Sequence, residues 1–479
     1  MSTDRVLVTL KALGIVIMGA AVVGFFVWDA TSGVQPLAPI LILGLGAAFL
    51  VTFRPKMVWH ALLALSIIIL RPNIWATNLG SLAVALLFVI GLGVLASTHF
   101  KGDLRGASFK GMLPVPIWLA IAYIVVLLRA GAAGGDIAPI ALGAVVDVGA
   151  AVATLMILSK RSYWMFAVKA FVGLTVAASV SYVVTLVVWG VAGTASGQIG
   201  TIPGAYGTTD LRLLFPFTPV ISSLQVFGVN VPRFTGFGRE PGWMAMYSGV
   251  AFLLFPYTRW KSKLLRASLL VSLLGTISTG GFGVFAVTIA LSIFLGRGSR
   301  PKFLPRLVGA GLLVGGIYAA LFAPVLGFAA KETQNALSLD DRSLATNAGL
   351  HALVTDPFSG GLASGNIPNV NLIASIAANG IIYALAISLA VLWVFVGHPQ
   401  KGQLTPPIVG IFGTLLTSQP ANGSTFVFCL VLICAVATRD PLDTGQPAPV
   451  IERDSHLPIW ANGKHSQIPA IQFARKDLH

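Results

Sequence analysis

Of the 479 residues, 56% are hydrophobic and only 10% are charged, and the mean hydropathy is +0.86. A soluble chain of this length would split into two or three domains with charged surfaces, about 25% charged in a typical case; this composition instead points to a bilayer as solvent. The net charge of +15 would suggest nucleic acid in a soluble protein, so where the charges sit decides what it means.

Apolar runs occur at 12–30, 36–53, 57–76, 79–98, 112–128, 137–158, 165–190, 242–258, 307–328 and 371–396. Each is near the ~20 residues a helix needs to cross ~30 Å of hydrocarbon. The run 267–295 is too long for one span and is broken by Ser278-Thr279-Gly280-Gly281; the run 406–438 is broken likewise at 418–423. Each is read as two short helices meeting at a turn. The fold class expected is therefore all-α: a polytopic membrane helix bundle of about 12–14 transmembrane helices over residues 1–438, with two long outer loops at 191–241 and 329–370. The first run is read as a retained span, and 439–479, polar and rich in Pro and charge, as a disordered cytoplasmic tail. Cys429 and Cys434 share one apolar run at a spacing that suits packing rather than metal.

With the N-terminus inside, the inner connections and the tail collect most of the 31 basic residues. Seven fall outside: Arg71, Arg129, Arg212, Arg233, Arg239, Lys331 and Arg342. That asymmetry sets the orientation by the positive-inside rule and makes the basic balance a topology signal, not a nucleic-acid footprint. The expected location is a bacterial cytoplasmic membrane with both termini cytoplasmic.

The two long outer loops hold five of the seven, and four of those are Arg: Arg212, Arg233, Arg239 and Arg342. A planar guanidinium grips phosphate or carboxylate bidentately. The competing reading is solvated pairing with Asp210, Glu240, Asp340 or Asp341. Arg233 opens Arg233-Phe-Thr-Gly236-Phe-Gly238-Arg239-Glu240-Pro241 and runs straight into a membrane helix. Glycines permit close backbone approach, Pro241 suits a first helical turn, and the helix N-terminus favours an anion. Arg342 opens an amphipathic surface helix that ends in Asp356-Pro357-Phe358-Ser359-Gly360-Gly361, followed by Asn369, Asn371 and a span carrying Asn379-Gly380.

At these residues the chain resembles the O-antigen ligase and polymerase family of bacterial membrane glycosyltransferases. Arg233, Gly236 and Pro241 match its outer Arg-x-x-Gly…Pro, and Ser278-Thr279-Gly280-Gly281 its broken helix pair. Arg342, Pro357, Gly360 and Gly380 match its large outer loop and following span. The resemblance covers roughly 230–395. Ligase members carry His-Asn where this chain has Asn369-Val370, which moves weight to the polymerase branch. The resemblance implies a polyprenyl-diphosphate-linked glycan donor at the outer leaflet, a glycan or lipid-linked acceptor, and transfer without metal or cofactor. Arg233 and Arg342 would neutralise the diphosphate, with Arg239 or Arg212 assisting. Glu240 is the first candidate for general base, with Asp356 and His351 behind it.

Other polar residues carry less. Asp147 lies mid-span, where an ionised carboxylate is costly; it is a functional candidate, a protonated carboxyl, or a group with a buried partner. His351 lies nine residues after Arg342, on the opposite helical face. A transporter or flippase of lipid-linked glycans is the main non-enzymatic alternative, for which Asp147 would be the first residue to cite.

Overall fold

The computed structural model describes residues 111–132, 134–135, 137–158, 161–193, 197–202, 210–226, 229–238, 240–295, 303–322, 336–358, 371–417 and 425–439. The four expected spans before residue 100 and the tail from 440 lie outside the described residues. What is described is mostly helical. In chain order the helices are α1 (Pro114–Ala132), α2 (Ile137–Leu158), α3 (Arg161–Ala192), α4 (Pro241–Leu254), α5 (Lys263–Gly275), α6 (Thr279–Phe294), α7 (Phe303–Phe322), α8 (Ala336–Thr355), α9 (Leu372–Phe395), α10 (Lys401–Thr417) and α11 (Thr425–Ala437). Three stretches are long and apolar enough to cross a membrane: Pro114–Ala132, Met165–Ala192 and Leu372–Phe395.

Local chemistry accounts for the helix boundaries. Pro241 sits in the first turn of α4, where its missing N–H costs nothing. The Ser262, Ser278 and Asn371 side chains accept from the N–H groups of Leu265, Gly281 and Ala374 and so cap α5, α6 and α9. The 267–295 run breaks at Thr276-Ile277-Ser278, with Ile277 at φ 46. A β-branched residue there is strained, and packing must hold it.

The 191–241 segment, expected as a loop, contains a four-stranded antiparallel sheet in the order β1-β2-β3-β4: Gln198–Ile202, Leu211–Leu214, Thr218–Val226 and Val229–Phe234. All-α therefore describes the helices but not this insert. The reason lies in α3. Its 32 residues span about 48 Å, well beyond ~30 Å of hydrocarbon, and its last turns carry the sheet. Tyr182 stacks on Phe234 (4.6 Å between ring centroids) and donates to the Pro232 carbonyl at 3.0 Å. Thr185 donates to the Phe215 carbonyl at 2.7 Å, and Trp189 Nε1 to the Asn230 carbonyl at 3.0 Å. Short apolar strands without a full core of their own are stabilised by this helix face.

Within the bundle, α11 is buried along nearly its whole length, with Cys429 and Cys434 free and buried in it. Thr154 of α2 donates to the Cys429 sulfur at 3.2 Å. Serines join α3, α4 and α5: Ser179 donates to Ser272 at 2.7 Å, and Ser248 lies 3.0 Å from the same hydroxyl. Small polar contacts of this kind hold apolar helices together where lipid offers no hydrophobic contrast. Asp147 is buried and accepts from Tyr123, so the buried-partner reading describes it. α7 turns Phe303, Leu304, Leu307 and Val314 outward.

α1 and α9 run antiparallel, joined near one end by Arg129 and Asn379 and near the other by Trp393 Nε1 and the Gly111 carbonyl (3.1 Å). The first junction lies at the sheet end of the bundle. At the opposite end, Tyr257, just after α4, donates to Gln403 of α10 at 2.6 Å. There His398 is buried between α9 and α10. Its Nδ1 accepts from the Gln400 N–H (3.1 Å), so Nε2 donates to the Ala435 carbonyl (2.8 Å).

Two outcomes follow from this packing. A Cβ on Gly275 would lie 2.0 Å from the Tyr182 ring, so Gly275→Ala displaces the ring that anchors the sheet. It lowers stability by about 1–3 kcal/mol, read as a lower thermal midpoint in detergent. Burial, foremost, together with the charges of Arg439 and Lys401, lowers the His398 pKa from its ordinary 6.5. A depressed pKa means the unfolded chain binds the proton more readily, so this contribution is complete above about pH 6.5 and is lost as pH falls below it. The midpoint of the wild type falls more steeply than that of His398→Gln between about pH 7.5 and pH 5.5.

Candidate functional site

The sheet end of α9 carries the most unusual backbone in the bundle. Gly380 adopts φ 82 and ψ 175 inside an otherwise helical run, a conformation that glycine adopts at low cost. The turn after α8 fills the kink. Ile381 N–H donates to the Pro357 carbonyl at 2.8 Å. A Cβ on Gly380 would lie 2.6 Å from the Phe358 carbonyl oxygen and 3.1 Å from that of Pro357. Upstream, α8 lies along the first half of α9: a Cβ on Gly349 would meet that of Ala377 at 3.0 Å, and Asn371 donates to Thr346 at 2.9 Å.

Three polar side chains converge here from three elements. Asn379, buried, donates to the Ser375 carbonyl at 2.8 Å and accepts from a terminal nitrogen of Arg129 at 3.3 Å. Arg129 occupies the last turn of α1, where the helix dipole favours a cation. The Asp356 carboxylate acts electrostatically on it. The Arg129 Nε is buried and has no hydrogen-bond partner among the described residues. A half-buried guanidinium can hold an oxyanion, and a carboxylate near it can accept a proton from a bound hydroxyl.

A second polar point lies at the α5–α6 break. β4 delivers Arg233 there, and its Nε donates to the Thr276 carbonyl at 3.2 Å. This places a cation on the C-terminus of α5. Gly236 (φ 51) and Gly238 follow. A Cβ on Gly236 would lie 2.3 Å from the Met244 sulfur, and one on Gly238 2.9 Å from the Met244 nitrogen. These glycines therefore let the backbone close onto the first turn of α4. Glu240 is exposed at the N-cap of α4, and its side chain makes no capping bond.

The remaining expected residues are placed as follows. Arg212 is half-exposed on β2, opposite Thr201 and Val220. Arg342 lies in α8, two turns before Gly349. His351 is exposed on α8. Arg239, Gly360 and Asn369 lie outside the described residues. Of the motif pieces, Pro357 and Gly380 are in direct contact and bring Asp356 with them. Arg129 had not been singled out. Its signal was an outer arginine closing a span, in a chain whose opposite span breaks at Asn379-Gly380.

Gly380→Ala imposes both a left-handed strain and a clash with two carbonyl oxygens, so a loss of at least about 1–3 kcal/mol is expected. Gly315→Ala, at a helical glycine with open space around it, leaves stability unchanged or raises it. Thermal unfolding of the two variants side by side measures the difference.

No protein-family model matches the chain, and no curated protein is similar to it.

Proposed function

We propose that this protein is a membrane glycosyltransferase, a polytopic bundle of about 12–14 spans whose sheet end faces outward from a bacterial cytoplasmic membrane. It transfers or polymerises a glycan from a polyprenyl-diphosphate donor, and polymerase is favoured over ligase because Asn369 stands at the position of the ligase histidine. The observation that carries this reading is the seating of Pro357 against Gly380. Two pieces of the motif that supports the resemblance form one contact, and that contact gathers a carboxylate and a guanidinium with an unused donor.

In the reaction, the acceptor hydroxyl attacks the anomeric carbon. The new glycosidic C–O bond forms as the bond from that carbon to the diphosphate oxygen breaks, and the electron pair leaves on the polyprenyl diphosphate. The hydroxyl proton passes to a carboxylate. Asp356 is favoured as that base for its position beside Arg129; Glu240 and His351 stand behind it. Arg129 joins Arg233 and Arg342 as a diphosphate ligand, with Arg239 and Arg212 assisting. Fixed donors aimed at the leaving group stabilise charge that grows in the transition state.

Purified protein given a labelled lipid-linked repeat unit yields a ladder of products if it is a polymerase and a single adduct if it is a ligase. Movement of the lipid between leaflets with no new glycosidic bond would establish the flippase reading instead. Arg129→Lys, which keeps charge but loses the fork, lowers transfer by about 10²–10³ with unchanged membrane insertion. Transfer persists in EDTA. Full activity in Arg129→Ala, Arg233→Ala and Arg342→Ala alike would remove the mechanism.

A further inference from the structure

At the end of the bundle opposite the sheet, four helix termini meet: the start of α1, the end of α9, the start of α10 and the end of α11. Arg439 follows α11, where its backbone N–H closes a turn on the Val436 carbonyl at 3.2 Å. Its side chain reaches toward α1, with one terminal nitrogen 4.0 Å from where a Cβ on Gly111 would stand. Burial strips water from this guanidinium. Its Nε is buried and has no hydrogen-bond partner among the described residues. Lys401, exposed at the start of α10, is the second cation; both charges bear on the neutral His398.

A buried cationic donor without an acceptor costs free energy that a bound oxyanion recovers. The surroundings say what kind of anion. Leu113 and Ile117 on α1 are 40% and 51% exposed, and Leu392 and Val396, near the end of α9, are 59% and 57% exposed. The Trp393–Gly111 hydrogen bond ties these two apolar margins together, and a tryptophan at this level suits a membrane interface. An inorganic anion would satisfy Arg439 and leave the apolar rim bare. A phosphodiester with two acyl chains satisfies both.

We propose that Arg439, assisted by Lys401, binds the phosphate of an anionic glycerophospholipid, with its acyl chains lying along Leu113–Ile117 and Leu392–Val396. The site is separate from the Arg129 junction and is independent of the glycan-transfer reading. Its charge complementarity is that of basic pockets between membrane helices that hold lipid headgroups.

Native mass spectrometry of the full chain in detergent, titrated with phosphatidylglycerol, tests it. One lipid is retained in preference to phosphatidylcholine, and Arg439→Ala weakens its half-saturation at least about tenfold. Lys401→Gln, at an exposed position that folding tolerates, weakens it about fivefold and serves if Arg439→Ala does not insert. Equal half-saturation in the wild type and both variants overturns the proposal. Inorganic phosphate alone does not displace the lipid; displacement at equal concentration would make the ligand a free phosphate and overturn the lipid assignment.

Discussion

A helix inside an apolar bundle has no spare backbone donors, and α9 departs from that rule at one residue. Gly380 turns left-handed, and Ile381 loses its intrahelical acceptor. A backbone N–H in an apolar surrounding needs an acceptor, and the Pro357 carbonyl provides it. That single hydrogen bond fixes where α8 ends. It brings Asp356 beside Arg129 and leaves no room for a side chain at position 380. The α1–α8–α9 arrangement depends on it.

The α1–α9 pair carries a guanidinium at each end. Arg129 meets Asn379 near one end, and Arg439 reaches Gly111 near the other. Both keep a buried Nε without an acceptor among the described residues. Arginine suits this position because its long stem packs against apolar surface while the planar head keeps several donors directed at one place. The two differ in surroundings. Arg129 sits by a carboxylate and a broken helix, a setting for chemistry. Arg439 sits by lysine and outward-facing apolar side chains, a setting for a lipid.

The sheet is a dependent structure. Its buried side chains are few: Leu211, Leu214, Val220 and Phe234 among them. It persists because the last turns of α3 offer it Tyr182, Thr185 and Trp189. The same sheet delivers Arg233 to the α5–α6 break, so the strain at Ile277, the cap at Ser278 and the cation on Thr276 form one local solution to ending a helix inside the bundle.

Hydropathy located most of the described long helices. The limits of α2 coincide with its apolar run, and those of α9 fall within a residue of theirs, because a span must satisfy its backbone internally and so must be continuous. A break in the 267–295 run was legible from Ser278-Thr279-Gly280-Gly281, although the turn falls at 276–278 and Thr279 already opens α6; the kink at Gly380 was not, because 371–396 reads as one continuous run. Sequence also isolated Pro357 and Gly380 as significant, 23 residues apart. It did not show that they touch, because contact between a loop and a kink depends on how α8 lies along α9. Arg129 was counted among the outer charges but given no role, because a charge at a span end is ordinary until a partner span is known. The sheet was missed because its strands are short and their period-2 pattern is weak beside the long apolar runs, and their stability resides in α3. Spacing along the chain settles which segments are long apolar helices; only packing decides which polar groups share one site, since that depends on helix order and tilt, which no local pattern encodes.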